Sequence, residues 1–270
     1  MEFIHLSLEE IEQILTRKKI PFDKPGFYDH PNFLKEERKN SQFLEIYPAY
    51  VYKREYTEGY LKNAKEKTQK AIKIFSGALK RSKQLGACID ASSALSRILD
   101  RVGVWNFVVK GCVTMKFPSE SNLDNVSFRQ IDVGNYAAAH AWIFSPPFNV
   151  LDVTIKYQHY SNNEINYLPD YLASEDNTPG IPLITDIISP IALSVLGKFS
   201  AEEEFKKILG FQEVIKTVEF VKDHTTFRYI PLGMGLSDEP LEKINNIRFD
   251  GLYPFDFYMK KIKPTLAQKK

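Results

Sequence analysis

The apolar pattern of this chain changes period at Gly103, and that change restricts the fold more than any other feature. Before it, apolar residues recur at helical spacing; after it, they alternate. Over 61–83, Ala71, Ile74, Phe75 and Leu79 share one face of a helix whose other face is rich in lysine. Gly86 turns the chain. From Cys88 to about Arg101, Ala91, Leu95, Ile98, Leu99 and Val102 form a second stripe, which Gly103 ends. The alternating part predicts one or two strands over 104–117 and a weak strand or loop over 125–134. It also predicts a hairpin over 138–157 and a second over 213–232 that turns near Asp223 and His224. Helices followed by antiparallel strands specify an α+β fold.

The remaining segments are less regular. Ser7 and Glu10 form a capping box ahead of Leu8, Ile11, Ile14 and Leu15, which predicts a short opening helix. Residues 21–60 are rich in Pro, Tyr and Phe, show no period, and are expected to be a loop-like wrap. Residues 161–200 are expected to be an irregular excursion, after which Ser200 caps a helix of about ten residues. The chain of 270 residues suits a single domain. Residues 1–60 are its N-terminal wrap, 61–160 its core, and 161–270 complete the sheet.

Composition excludes several classes of partner. Lys plus Arg number 36 against 34 Asp plus Glu, a balance that calls for neither nucleic acid nor an anionic membrane. No window is apolar for long enough to cross a bilayer, and the first residues lack the pattern of a signal peptide. Two cysteines without an export signal imply reduced thiols in a cytosol, or delivery into another cell by a signal-peptide-independent system. His5, His30, His159 and His224 have no metal-ligand spacing, and no glycine loop cradles a phosphate, so no cofactor is expected.

In HAWIFSPPFNVLDVT, Pro146 and Pro147 belong in a turn, because proline cannot donate to a ladder. If Phe144 pairs with Phe148, Trp142 faces Val150 and His140 faces Asp152. Opposed residues share a face within about 4.5–5.5 Å, so imidazole and carboxylate can hydrogen-bond. A two-residue shift leaves the pair diagonal on one face; a one-residue shift separates them. Trp142 and Phe144, on the same face, are placed to exclude water. Alone, His140 reads as a satisfied core histidine. Cys88 changes that reading. It opens a helix, whose unpaired N–H groups and dipole favour a thiolate, and packing of that helix start against the His140 face would add an imidazolium. Cys88, His140 and Asp152 then form an arrangement for nucleophilic catalysis. The Cys88 N–H is an oxyanion donor, and Gln84, just upstream, is a candidate for a second. Cys112, mid-strand, reads as buried packing.

At these residues the chain resembles the transglutaminase-like branch of the papain-like superfamily. The resemblance rests on Gly86-Ala87-Cys88, Val102-Gly103, His140-Ala141-Trp142 and Asp152-Val153-Thr154. It implies a papain-like core: a Cys-bearing helix packed on an antiparallel sheet that carries His and Asp. It assigns Cys88 as nucleophile, His140 as general base and acid, and Asp152 as the orienting acid. Members include transglutaminases, cysteine proteases, peptide N-glycanases and inactive binding domains. The expected activity is therefore acyl transfer at amides of protein or peptide substrates, by hydrolysis or transamidation. A non-catalytic binding domain and a small-molecule acyltransferase are the alternatives.

Overall fold

The computed structural model describes residues 3–82, 84–132, 139–196, 198–237 and 239–267. Five helices lead the chain: α1 (Leu8–Arg17), α2 (Pro31–Glu37), α3 (Ile46–Lys53), α4 (Glu58–Ser82) and α5 (Cys88–Arg101). The strands are β1 (Phe107–Lys116), β2 (Val126–Phe128), β3 (His140–Ser145), β4 (Phe148–Asp152), β5 (Leu172–Ser174), β6 (Val218–Lys222) and β7 (Thr225–Gly235). Short helices α6 (Ile184–Ile187) and α7 (Pro190–Leu196), then α8 (Lys198–Leu209), separate β5 from β6. Helices α9 (Pro254–Phe257) and α10 (Lys263–Ala267) close the chain. Every named strand pairing is antiparallel, in the order β5-β4-β3-β1-β7-β6, with β2 added beside β1. The class is α+β, and among the described residues no helix is long and apolar enough to cross a membrane.

The sheet separates two hydrophobic clusters. On one face α4 and α5 bury Phe75, Leu79, Leu95, Ile98 and Leu99 against Ile143, Leu151 and Val153. On the other, Trp142, Val150 and Tyr229 join the aromatic residues of the first 60 positions. That N-terminal stretch is more ordered than its sequence suggests. Its missing period has a physical cause: α3 buries Ile46, Tyr47, Pro48, Ala49, Tyr50 and Val51 in succession. A helix buried all round has no amphipathic stripe to detect. Three further expectations change. The 161–200 stretch contributes β5 to the sheet and forms α6 and α7. Ser200 lies inside α8, which starts at Lys198, and does not cap it. The weak strand over 125–134 shortens to β2, and its last two positions fall outside the described residues. The turn between β6 and β7 is where the sequence puts it, with Asp223 and His224 at φ of 49° and 67°.

The hairpin of β3 and β4 departs from its expected register, and the departure decides the site. Ser145 pairs with Phe148 across a cis Pro146–Pro147 peptide, whereas Ile143 pairs with Leu151. Three steps along β4 therefore match two along β3, so β4 bulges by one residue near Asn149 and Val150. The turn's register alone, continued without the bulge, would set His140 opposite Val153 and turn Asp152 to the far face. The bulge restores parity. His140 and Asp152 lie diagonally on one face, at a separation of about 7–8 Å between backbones that an imidazole can bridge.

The N-terminal wrap is tied to the far end of α5 through a buried carboxylate. Asp100 accepts hydrogen bonds from the hydroxyls of Tyr28 and Tyr47 and from Asn106 Nδ2. Arg97, whose guanidinium lies over the Tyr28 ring, pairs with Asp29 beside this group. Burial raises the Asp100 carboxyl to about 7, against the lowering effect of its donors and Arg97. The folded state thus holds this proton more tightly than the unfolded chain. The stability it contributes is full below about pH 4 and is lost as pH rises to about 7, on the order of a few kcal/mol. Urea midpoints should therefore fall in wild type relative to Asp100→Asn across that window. A constant difference between the two proteins would show that Asp100 does not titrate there.

Candidate active site

Local structure places the thiol first. Gly86 has φ of +71°, a conformation that side chains rarely adopt, and its N–H donates to the Tyr157 carbonyl at 2.9 Å. The turn delivers Cys88 as the first residue of α5. The preceding cap residue, Ala87, supplies no side-chain hydrogen bond, so the first-turn N–H groups have no side-chain acceptor there. The Ser92 hydroxyl donates to the Ala141 carbonyl at 3.2 Å, which ties the helix to β3. Cys88, 6% exposed, packs against Val108 and Ala141.

This arrangement corrects one expectation. Helix α5 does not pack on the face that bears His140; its stripe covers the opposite face, with Ile143, Leu151 and Val153. The thiol meets the imidazole because His140 is the first residue of β3, where a helix terminus on one face lies close to a side chain on the other. Cys88 interacts with the His140 imidazole and with the Ala141 backbone.

His140 Nε2 lies 2.6 Å from Asp152 Oδ2, and both side chains are buried. That nitrogen is taken, so Nδ1 is the one left for Cys88. The Phe128 ring stacks on the imidazole at 5.5 Å and 25°. Asp152 is saturated with donors. Its Oδ1 accepts from Thr154 N at 2.8 Å, Thr154 Oγ1 at 3.0 Å and Ile155 N at 3.0 Å. Its Oδ2 also accepts from the Tyr229 hydroxyl at 2.7 Å.

The charges follow from these contacts. Burial raises the Cys88 thiol, but the hydrogen bond and charge of His140 and the Ala141 backbone outweigh it, and the net shift is downward. Burial would lower His140, yet the Asp152 charge and hydrogen bond, with those of Cys88, raise it to about 10. Burial works against the Asp152 anion, and His140, the Thr154 backbone and Tyr229 reverse that, so its carboxyl stays below the usual range. The site favours a thiolate, an imidazolium and a carboxylate in sequence. Cys112 differs: it is buried among Ile187, Ile188 and Ile230, and burial pushes its thiol up to about 12.

The other candidates stand further from the thiol. Gln84 forms no hydrogen bond with a described residue, and its Oε1 is buried without a partner. The structure leaves it four positions before Cys88 without a hydrogen bond to Cys88, His140 or Asp152. Trp142 is 1% exposed and meets the Tyr229 ring edge-on at 5.0 Å. It packs on the tyrosine whose hydroxyl bonds Asp152 and offers almost no surface to a substrate. Two participants escaped the sequence reading. Tyr229 carries no local signal, because its partner is 77 positions away. Gly111 does: a glycine inside a strand marks a close approach. It pairs with His140, and a β-carbon there would lie 2.1 Å from the Ile230 carbonyl oxygen and 2.8 Å from the Trp142 ring.

A cleft of about 220 Å³ runs beside the start of α5, lined by Ile89, Ser93, Val108, Lys110, Glu239 and Asn246 among others. Among the described residues no group of three or more His, Cys, Asp or Glu could hold a metal ion. No family model matches this chain, and neither a curated protein nor a solved structure matches it.

Proposed function

We propose that this chain is a thiol-dependent acyl-transfer enzyme that acts on amide bonds of proteins or peptides. One observation carries the reading: a helix-start thiol packs on Ala141, the residue next to a His140 whose Nε2 is 2.6 Å from a buried carboxylate. In this reading the Cys88 thiolate attacks the amide carbonyl. The N–H groups at the head of α5 receive the developing oxyanion. The C–N bond breaks as His140 gives its Nδ1 proton to the leaving amine, which leaves a thioester on Cys88. Water or a second amine then attacks the thioester, with His140 accepting the proton of the incoming nucleophile. Asp152 keeps the imidazole oriented throughout. The order of Cys, His and Asp, with a helix followed by a sheet, supports membership of the transglutaminase-like branch. Leu85 and Ile89, each 51% exposed, flank the thiol in sequence and offer an apolar rim to a bound peptide. Both cysteines are free thiols, which suits a reducing compartment such as a cytosol.

Mass spectrometry of a cell lysate exposed to wild type and to Cys88→Ala tests the reading. Products should appear with wild type alone. New fragments would identify hydrolysis of peptide bonds, crosslinks with loss of ammonia would identify transamidation, and a gain of roughly one dalton at Gln would identify deamidation. Identical lysates, with Cys88 labelled no faster than Cys112, would instead mark a binding domain.

A further inference from the structure

The Tyr229 hydroxyl approaches the triad from an unexpected direction. Strands β7, β1, β3 and β4 are consecutive in the sheet. On a flat sheet three strand spacings separate Tyr229 from Asp152 by about 14 Å, farther than a tyrosine side chain reaches. The observed contact is 2.7 Å. The curl of the sheet closes that distance. Gly111 on the intervening β1 shares this face, since Gly111 pairs with His140 while Val113, two positions on, pairs with Tyr229. Its missing side chain leaves the space that the Trp142 ring enters. Trp142 meets Tyr229 edge-on and Phe220 stacks on it at 6.0 Å, with the two rings within 1° of parallel. The tyrosine is fully buried, and its hydroxyl donates only to the oxygen that also receives His140.

We propose that Tyr229 is a positioning residue that keeps the shared proton on His140 by holding Asp152 as an anion. The inference rests on the functional reading of the triad given above. A buried carboxylate with fewer donors binds a proton more readily. Three donors already restrain Oδ1, so the Tyr229 hydroxyl is the neutral donor at the oxygen facing the imidazole. Without it, the Nε2 proton moves toward Asp152, the ring loses positive charge, and the Cys88 thiolate loses its counterion. Burial holds Tyr229 itself protonated, its hydroxyl shifted well above the ordinary value, so it remains a donor throughout the working range. Among the described residues, the groups that face this cluster are Cys88, His140, Asp152 and Tyr160, the last also held protonated by burial.

The test is the pH profile of Cys88 alkylation by iodoacetamide in wild type, Tyr229→Phe and Phe220→Leu, each normalised to folded protein. Removing one donor from a buried anion should move the acid limb of Tyr229→Phe upward, with the rate at pH 6 about tenfold lower. Phe220→Leu loosens the packing of the same ring but keeps its hydroxyl, and its limb should stay with wild type even if its urea midpoint falls. An unmoved limb in Tyr229→Phe overturns the inference while leaving the triad reading intact. Equal movement in both variants also overturns it, since packing would then be the cause. A wild-type rate that simply follows an ordinary thiol removes the triad reading, and this inference with it.

Discussion

Replacing His140 with Ala should slow alkylation of Cys88 at pH 6 by at least about 30-fold. The reacting species is the thiolate. A thiol with an ordinary pKa near 8.5 is ionised in only about one molecule in 300 at that pH. In the native site, burial opposes ionisation, and the hydrogen bond and charge of His140 overcome it. With alanine at 140, burial remains and the compensation is gone. The lower intrinsic nucleophilicity of a stabilised thiolate takes back part of the difference, which reduces about 300-fold toward 30-fold. The shape of the profile carries the sign. The ion pair persists between the lowered thiol value and the imidazolium value of about 10, so the acid limb of wild type should lie below that of the variant. The variant should gain about tenfold per pH unit until its own thiol ionises. Cys112, pushed up to about 12 by burial, is the reference within the same chain. Peptide-level mass spectrometry after timed labelling gives both rates. Equal rates at Cys88 in the two proteins would sink the assignment of His140.

Asp152→Asn should disable the site while preserving its outline. Every partner of the native carboxylate is a donor: Thr154 N, Thr154 Oγ1 and Ile155 N at one oxygen, His140 Nε2 and the Tyr229 hydroxyl at the other. An amide must turn its NH₂ toward one of these groups. The backbone N–H groups cannot adapt, so the NH₂ faces His140 and Tyr229. The imidazole can then accept at Nε2 only by moving its proton to Nδ1, the nitrogen nearest Cys88. A protonated Nδ1 on a neutral ring cannot receive the thiol proton. Turnover of a substrate found in the lysate experiment should fall about 10³–10⁴-fold, the scale expected for a triad held in the wrong tautomer. Loss of the buried counter-charge should also cost about 3 kcal/mol of stability. Urea midpoints and the labelling profile measure both. A variant that unfolds with wild type and labels with the wild-type profile would remove Asp152 from the proposed mechanism.

The helical segments α4 and α5 and the two hairpins were readable because each satisfies a local rule. Apolar residues at 3.6 spacing mark α5, and a turn with positive φ joins β6 to β7. Residues 21–60 were not readable. Burial on all sides of α3 erases the contrast between faces on which such a reading depends. Ser200 misled for a related reason: a serine before a helical run has the chemistry of a cap whether or not the preceding residues have already begun the helix. The edge strand β5 is three residues long, too short for alternation to register.

The candidate site shows the same division. The residue types and their order along the chain determined that a thiol would open a helix and that a histidine and an aspartate would flank a proline turn. These are local matters of helix signals and of what proline excludes. Only the tertiary structure decided that they meet. A one-residue bulge in β4 sets whether Asp152 faces His140, and helix α5 reaches the imidazole from the other side of the sheet at the start of β3. Tyr229 completes the cluster because the sheet curls over a glycine. Register, curl and handover between faces depend on pairings between distant strands, and no window along a single strand contains them.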